Sequence, residues 1–485
     1  VQWRGDWAVC TKLESDKLVE LAMAASTAPA DLTSTLEALE RRFPGRVGLG
    51  EALRRQHANA LTFHPAELPD AVIWPESTDE VRTIIEAAKA ARLPVIAFGA
   101  GTSLEGHVNA PRGGLCVDFS RMSRILAVRP DDLDCTIEAG VSRRRLNQEL
   151  RDTGLFFPVD PGAEEATLGG MAATRASGTT TVRYGSMRDN VINLTVVLPS
   201  GEVIKTARRA RKSASGYDLT RLMIGSEGTL GLITELTLRL YGVPETVVAA
   251  VATFDTLEGA CRATTSAIQS GLGLARIELL DPAQIRAVNQ YSKLALAETP
   301  TLFLELHGSS AACSQDLETF AELGAGEGML QLQSAADEDG RRALWRARHD
   351  ALWAVKSLWT GREVLVTDVA VPLSNLAQAV RETAEDVARH GIIAPIVGHV
   401  GDGNFHAIVV FDSSSHAERD RVEAFLDRLV ERALRLDGTA TGEHGIGQGK
   451  RRFLQDEHGP AVHAMAAIKH ALDPLDLFNP GKIFI

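Results

Sequence analysis

The apolar positions fall into two recurring patterns. Short aliphatic runs bounded by Gly, Pro, Asp or Ser read as strands. Longer stretches with apolar residues three and four apart read as helices. Residues 36–43, "LEALERRF", give a short amphipathic helix. "DAVIWPES" is a strand running into the helix "TDEVRTIIEAAKAARL", with Ser77 or Thr78 at its cap, and "PVIAFG" is again a strand. "GGLCVDFS", "DCTIEAG", "NLTVVLPSGEVI" and "LGLITELTLRL" follow as strands, with turn chemistry at Pro199–Ser200–Gly201. The pattern shifts near Pro244. From there strand, helix and strand alternate through "TVVAAVATFDTLEGACRATTSAIQSGLGLARIELLD", followed by the strand "TPTLFLELHG" and a helix around 311–323. The helix "GRRALWRARHDALWA", the strand "VLVTDVAVP" and the amphipathic helix "LSNLAQAVRETAEDVARHG" come next. "IIAPIVGHV" and "NFHAIVVF" form a strand pair, and the tail is one helix with a Pro/Gly-punctuated extension. This order predicts an α+β protein: a sheet-rich unit to about residue 243, then an antiparallel sheet covered by helices.

Composition removes several classes. With 63 acidic and 51 basic side chains and a net charge of -12, the chain is not built primarily to bind a phosphate backbone, so no nucleic-acid partner is expected. Its five cysteines are widely spaced with no C-x-x-C pair, which speaks against a disulfide scaffold, a zinc ribbon or an iron–sulfur centre. No apolar run reaches the roughly 20 residues of a membrane span. Val1 implies a processed, tagged or trimmed start, and the Ala-rich run at 17–30 reads as a tethering or disordered arm.

Glycine clusters where chemistry is expected. "FGAGTSLEG" at 98–106 follows a strand, and such a loop turns backbone N–H groups inward toward a pyrophosphate. It matches neither the G-x-G-x-x-G nor the Walker order, and alone it would equally be a structural turn. "DPGAEEATLGGMAATRASGTTTVRYG" at 160–185 adds Gly162, Gly169, Gly170 and Gly178, with hydroxyls at Thr167 and Ser177. "GSEGTLGLIT" at 225–234 is a third such block. Together they suggest a large planar cofactor held mainly by backbone, with tight turns in a crowded sheet as the alternative.

Nine of the 13 histidines lie between His349 and His470. A turn centred on Asp402 and Gly403 would place His399 directly across a hairpin from His406, close enough for both imidazoles to meet one metal. Glu443 can complete a two-His-one-carboxylate set, leaving His444 free as a base; a polar network without an ion is the alternative. Arg348, among Leu344, Trp345, Leu352 and Trp353, is an arginine that packing could draw inward to hold a carboxylate.

With these residues in place, the blocks "FGAGTSLEGHV", "GLFFPVDPGA", "RYGSMRDNV", "GSEGTLGLIT", "ARIELLD", "VGHVGDGNFH", "TGEHGIGQGK" and "DPLDLFNPGK" resemble, in order, those of the flavin-dependent D-2-hydroxy-acid dehydrogenases of the vanillyl-alcohol oxidase/PCMH superfamily. The match is nearest to the D-lactate dehydrogenase (cytochrome) type and covers about residues 60–485. The resemblance implies an N-terminal arm and helix (1–60), a two-part PCMH-type FAD-binding domain (61–243), a substrate- and metal-binding cap domain (244–445) and a tail returning to the flavin (446–485). It implies noncovalent FAD contacted by Gly99, Ala100, Gly101, Thr102, Ser103, Gly106, Pro161, Gly162, Thr167, Gly169, Gly170, Ser177, Gly178, Ile233 and Asn479, with His107 just outside the position where some relatives attach flavin. His399, His406 and Glu443 would hold a divalent metal, Mn2+ or Zn2+; His444 would be the base and Arg348 the substrate-carboxylate arginine.

The implied reaction is oxidation of D-lactate to pyruvate, with electrons passed to an external cytochrome c, quinone or electron-transfer flavoprotein. Glycolate and D-2-hydroxyglutarate are alternative substrates. Relatives specialised for the longer acid carry a lysine where this chain has "LVTDVAVP", with Thr367 and Asp368, which favours a smaller substrate. A metal-dependent hydrolase without a redox cofactor, or a non-catalytic metal or nucleotide module, would leave the glycine blocks or the Glu443–His444 pair unexplained. The expected location is cytoplasmic, with peripheral membrane association allowed, or mitochondrial in a eukaryote; a homodimer is compatible with the family.

Overall fold

A computed structural model describes residues 31–58, 62–335 and 337–484. The Ala-rich run at 17–30, with the arm reading attached to it, lies outside the described residues. The sequence-predicted short helix is Leu32–Arg42. In Thr78–Ala91, the Ser77 hydroxyl accepts the Glu80 N–H at 3.3 Å, and Val81, Ile84, Ile85 and Ala88 recur on one buried face. Arg92, with φ 53, ends it in a left-handed turn.

Strands β1 (Val47–Gly48), β2 (Ala71–Ile73), β3 (Val95–Phe98) and β4 (Leu115–Asp118) form a first sheet in the order β1-β2-β4-β3, with β2 and β3 parallel to β4. Seven strands follow: β5 (Ile125–Arg129), β6 (Asp134–Glu138), β7 (Leu155–Phe156), β8 (Val191–Val197), β9 (Val203–Lys205), β10 (Leu232–Arg239) and β11 (Tyr241–Gly242). β7 pairs with β11, and the rest form an antiparallel sheet ordered β5-β6-β10-β8-β9. One apolar core, including Ile73, Ile84, Leu194 and Leu236, joins both sheets.

After residue 243 come β12 (Thr246–Phe254), β13 (Leu274–Leu280), β14 (Thr301–Gly308), β15 (Met329–Ser334), β16 (Glu363–Val366), β17 (Val369–Ala370), β18 (Ile396–Gly398) and β19 (Asn404–Phe411). They make one antiparallel sheet, β15-β12-β14-β13-β18-β19-β16, with β17 also paired to β19. Side chains alternate between its faces, as the period of two requires. Leu279, Leu304 and Val409 pack under helices Leu257–Gln269, Leu373–His390 and His416–Arg435. Leu280, Phe303 and Ile408 pack on the opposite face with Ile285, Trp345 and Val355. The tail returns to the first half: Val95 N–H donates to Leu477 O and Asn479 N–H to Val95 O, both at 2.8 Å, on the edge of β3.

Three local expectations change. The β18/β19 register pairs Val397 with His406 and Ile396 with Ala407, so His399 is not directly across from His406. The connection is longer than a two-residue turn, because Val400–Asp402 forms a 3-10 turn and Gly403 takes φ +74. The arginine helix breaks at Asp350 into Glu338–His349 and Ala351–Leu358. The twenty-residue helix His416–Arg435 had no counterpart in the sequence reading.

Candidate functional site

A long cavity, about 1260 Å³ of space partly open to solvent, lies between the first-half loops and the second half. It runs from the loop after β3 past the start of helix Leu168–Ala173 and the entry to β10, and ends at Glu443 and His444. Gly99, Ala100, Gly101, Thr102, Ser103, Pro161, Thr167, Gly169, Gly170, Ser177, Ile233 and Asn479 line it, as the sequence reading expects of cofactor contacts. Gly106, Gly162 and Gly178 are not in the lining. Gly178 serves the turn instead: its φ is +140, and a Cβ there would strike the Asp160 carbonyl. Gly169 allows close approach, since a Cβ would sit 2.6 Å from that of Ala139.

Among the described residues no lysine or arginine lines the cavity; its titratable lining groups are His107, Glu227, Glu443 and His444. A phosphate-bearing ligand would therefore be met by backbone N–H groups and hydroxyls, which is the chemistry the glycine blocks supply. Asn479, in a left-handed conformation with φ 43, donates to the carbonyls of His107 (3.1 Å) and Glu227 (2.7 Å). Its buried Oδ1 has no protein partner among the described residues, an orphaned acceptor suited to a ligand N–H. The elongated shape, the glycine-rich walls without lysine or arginine, and this atom fit a large dinucleotide.

At the far end the three residues expected to bind metal come together. The Nε2 atoms of His399 and His406 lie 3.2 and 3.3 Å from Glu443 Oε1. One ligand atom from each residue lies within 4.8 Å of the others. The outer nitrogens are fixed elsewhere: His406 Nδ1 bonds the Thr367 carbonyl at 2.8 Å and His399 Nδ1 bonds Glu278 Oε1 at 2.7 Å. A carbonyl can only accept, so His406 donates from Nδ1, and Nε2 is the nitrogen turned toward Glu443. Burial opposes charging of His399, but without a cation Glu278 and Glu443 outweigh it and push the imidazole up to about 10, so a metal must displace the Nε2 proton to bind there. Burial also disfavours the Glu443 carboxylate, yet His399 and His406 hold it well below the ordinary range. Two imidazole nitrogens and one ionised carboxylate oxygen, held by outer partners, fit a divalent cation.

Asp368 anchors the loop that carries Glu443. Its Oδ2 accepts the Glu443 and His444 N–H groups, both at 2.9 Å, and the Thr441 hydroxyl at 2.7 Å; Oδ1 accepts Asn404 Nδ2 at 2.7 Å. Asp368, His406 and His444 also lie close enough to share an ion, but these four donors occupy the Asp368 carboxylate. From the other side, Glu227 accepts Ile446 and Gly447 N–H at 2.7 and 2.8 Å. The His444 ring stacks on His406 at 5.2 Å, and its buried Nδ1 has no partner among the described residues. Burial is the main cause that lowers the His444 pKa, with help from His406 and against the pull of Asp368. The imidazole is therefore neutral at neutral pH.

Arg348 is buried, 8% exposed, but it does not line the cavity. Its Nε and Nη2 both bond Glu278 Oε2, at 2.7 and 2.6 Å, while Nη1 makes no bond among the described residues. The sequence reading missed Glu278, Asp368 and Glu227 as site residues. A lone acidic residue in a strand or loop carries no local sign of partners 70 to 220 positions away.

Comparison with known proteins agrees with this geometry. The model for "FAD linked oxidases, C-terminal domain" matches residues 243–483, and that for "FAD binding domain" matches 69–207. A protein of Danio rerio named "Probable D-lactate dehydrogenase, mitochondrial" is 49% identical over 441 residues, 90% of this chain and 88% of that one. "D-lactate dehydrogenase [cytochrome], mitochondrial" of Arabidopsis thaliana is 44% identical over 424 residues, 87% of this chain and 75% of that one. The crystal structure of p-cresol methylhydroxylase with substrate bound superposes with a TM-score of 0.78 at 14% identity, covering 95% of this chain and 98% of that one. These matches leave the non-redox hydrolase reading without support.

Proposed function

The chain belongs to the FAD-linked oxidases, and on that premise we propose that it oxidises D-lactate to pyruvate with help from a divalent metal. The observation that carries the proposal is the position of His444. It is a neutral, half-buried imidazole at the point where the glycine-lined cavity meets the three-ligand cluster. The names of the zebrafish and Arabidopsis relatives support the substrate, and the latter name also supports a cytochrome as acceptor.

We assign residues 61–243 to FAD binding, 244–445 to the cap and 446–485 to the returning tail. When bound, FAD supplies the two-electron acceptor, and Mn2+ or Zn2+ supplies Lewis-acid polarisation of an alcohol oxygen. The cavity-lining glycines and hydroxyls from Gly99 to Asn479 would hold the first; His399, His406 and Glu443 would hold the second. Nη1 of Arg348 offers a donor to the substrate carboxylate. The neutral imidazole of His444 takes the hydroxyl proton as C2 gives up its hydride. Asp368 and Glu227 keep the loop of His444 from moving away from the substrate. Each turnover releases two electrons, which leave to an external acceptor, since the sequence holds no C-x-x-C-H haem site. No helix among the described residues is long and apolar enough to cross a membrane.

The metal's part is tested by chelation. Treating the flavin-loaded protein with a strong chelator should abolish D-lactate oxidation without loss of yellow colour, and adding Mn2+ or Zn2+ should restore it. Full activity in metal-free protein would refute a catalytic metal.

A further inference from the structure

Resting on the metal reading above, we infer that Ser177 is a positioning residue for the metal, whose hydroxyl fixes which oxygen of Glu443 is the ligand. The Ser177 Oγ–H donates to Glu443 Oε2 at 2.9 Å, while Oε1 of the same carboxylate faces the two histidine Nε2 atoms. An ionised carboxylate only accepts, so the hydroxyl proton must lie on this bond. Without it, the Glu443 side chain would be free to rotate and offer either oxygen.

Ser177 can impose this geometry because its own backbone is held on both sides. Ala176 donates to Met171 O at 2.8 Å and accepts Met187 N–H at 2.9 Å. On the other side Gly178 turns with φ +140, Thr179 N–H donates to Asp160 O at 3.2 Å, and the Thr180 hydroxyl donates to Pro158 O at 2.6 Å. The chain then wedges against the metal-bearing turn, where a Cβ on Gly401 would sit 2.8 Å from Val182 Cγ2. Ser177 and Glu443 are 266 residues apart, in opposite halves of the chain. The half that lines the cavity therefore sets the ligand geometry in the other half.

The test is metal affinity of the flavin-loaded protein, measured with Mn2+ and with Zn2+ by competition against a coloured chelator. S177A should weaken binding by about 10–100-fold, as loss of such an outer hydrogen bond does. Saturating metal should then restore kcat per bound flavin, the flavin content of each variant being counted by its absorbance. S177G, a second variant without the hydroxyl, should behave like S177A, and S177T, which keeps it, should stay near wild type. Wild-type affinity in S177A and S177G overturns the assignment, as does loss of flavin with metal affinity intact. A wild-type protein that binds neither ion overturns the metal reading itself; the reference value is then absent, and not merely the difference between variants.

Discussion

His444 sits where two opposing influences meet, and burial wins over Asp368. A base must be unprotonated to act. Its lowered pKa therefore predicts that kcat/KM stays level through neutral pH and falls only as pH drops below about 6.5, the ordinary histidine value. H444A should lower kcat by about 10²–10⁴, the usual contribution of a positioned base, and leave the flavin absorbance of the wild type. A near-wild-type rate would remove His444 from the mechanism. At this scale the sequence was informative about residues and not about their register. His399 and His406 stood out because Gly401–Asp402–Gly403 lies between them, Glu443 because it follows Gly442, and all three suit a metal by type. Their convergence at 3.2 and 3.3 Å depends on a turn whose length the pattern did not reveal. Arg348 was legible as a buried arginine, but its bond to Glu278 crosses 70 residues and left no local trace.

Among the elements, the loop 441–447 matters most, and it has almost no regular structure of its own. Its shape comes from Asp368 on one side and Glu227 on the other. D368N would replace an acceptor oxygen by a donor and leave a half-buried N–H of Glu443 or His444 unsatisfied. That should cost about 1–3 kcal/mol of stability, read by thermal or denaturant unfolding, with a fall in kcat as the loop loosens. Unchanged stability and rate would show that the loop is held elsewhere. Helices with clear caps and apolar spacing, such as Thr78–Ala91 and Leu373–His390, were legible. The break at Asp350 was not, because the apolar spacing continues across it through Ala347, Ala351 and Ala354.

Across the whole molecule, the alternation of strands and helices revealed two sheet-bearing halves, yet nothing in it described how they meet. Asp160 is one answer. This buried carboxylate lies 3.0 Å from Arg143 in its own half, and 3.3 and 3.2 Å from Arg276 and His349 in the other. Burial disfavours its charge, but Arg143, His349 and Arg276 together hold its pKa far below the carboxylate range. A depressed folded-state value stabilises the protein above the unfolded pKa near 3.9, and that contribution is lost as pH falls below it. D160N should cost about 3 kcal/mol at neutral pH and flatten the acid limb of the stability profile; no change in either would place the join elsewhere.

The proposed function predicts that D-lactate, and not its L-isomer, reduces the protein's bound flavin. Its most direct test is anaerobic mixing of the yellow protein with D- and L-2-hydroxy acids while flavin absorbance is followed. D-lactate should bleach the flavin rapidly and yield pyruvate, and L-lactate should leave it oxidised. Bleaching by L-lactate alone, or none with D-lactate, would contradict the account.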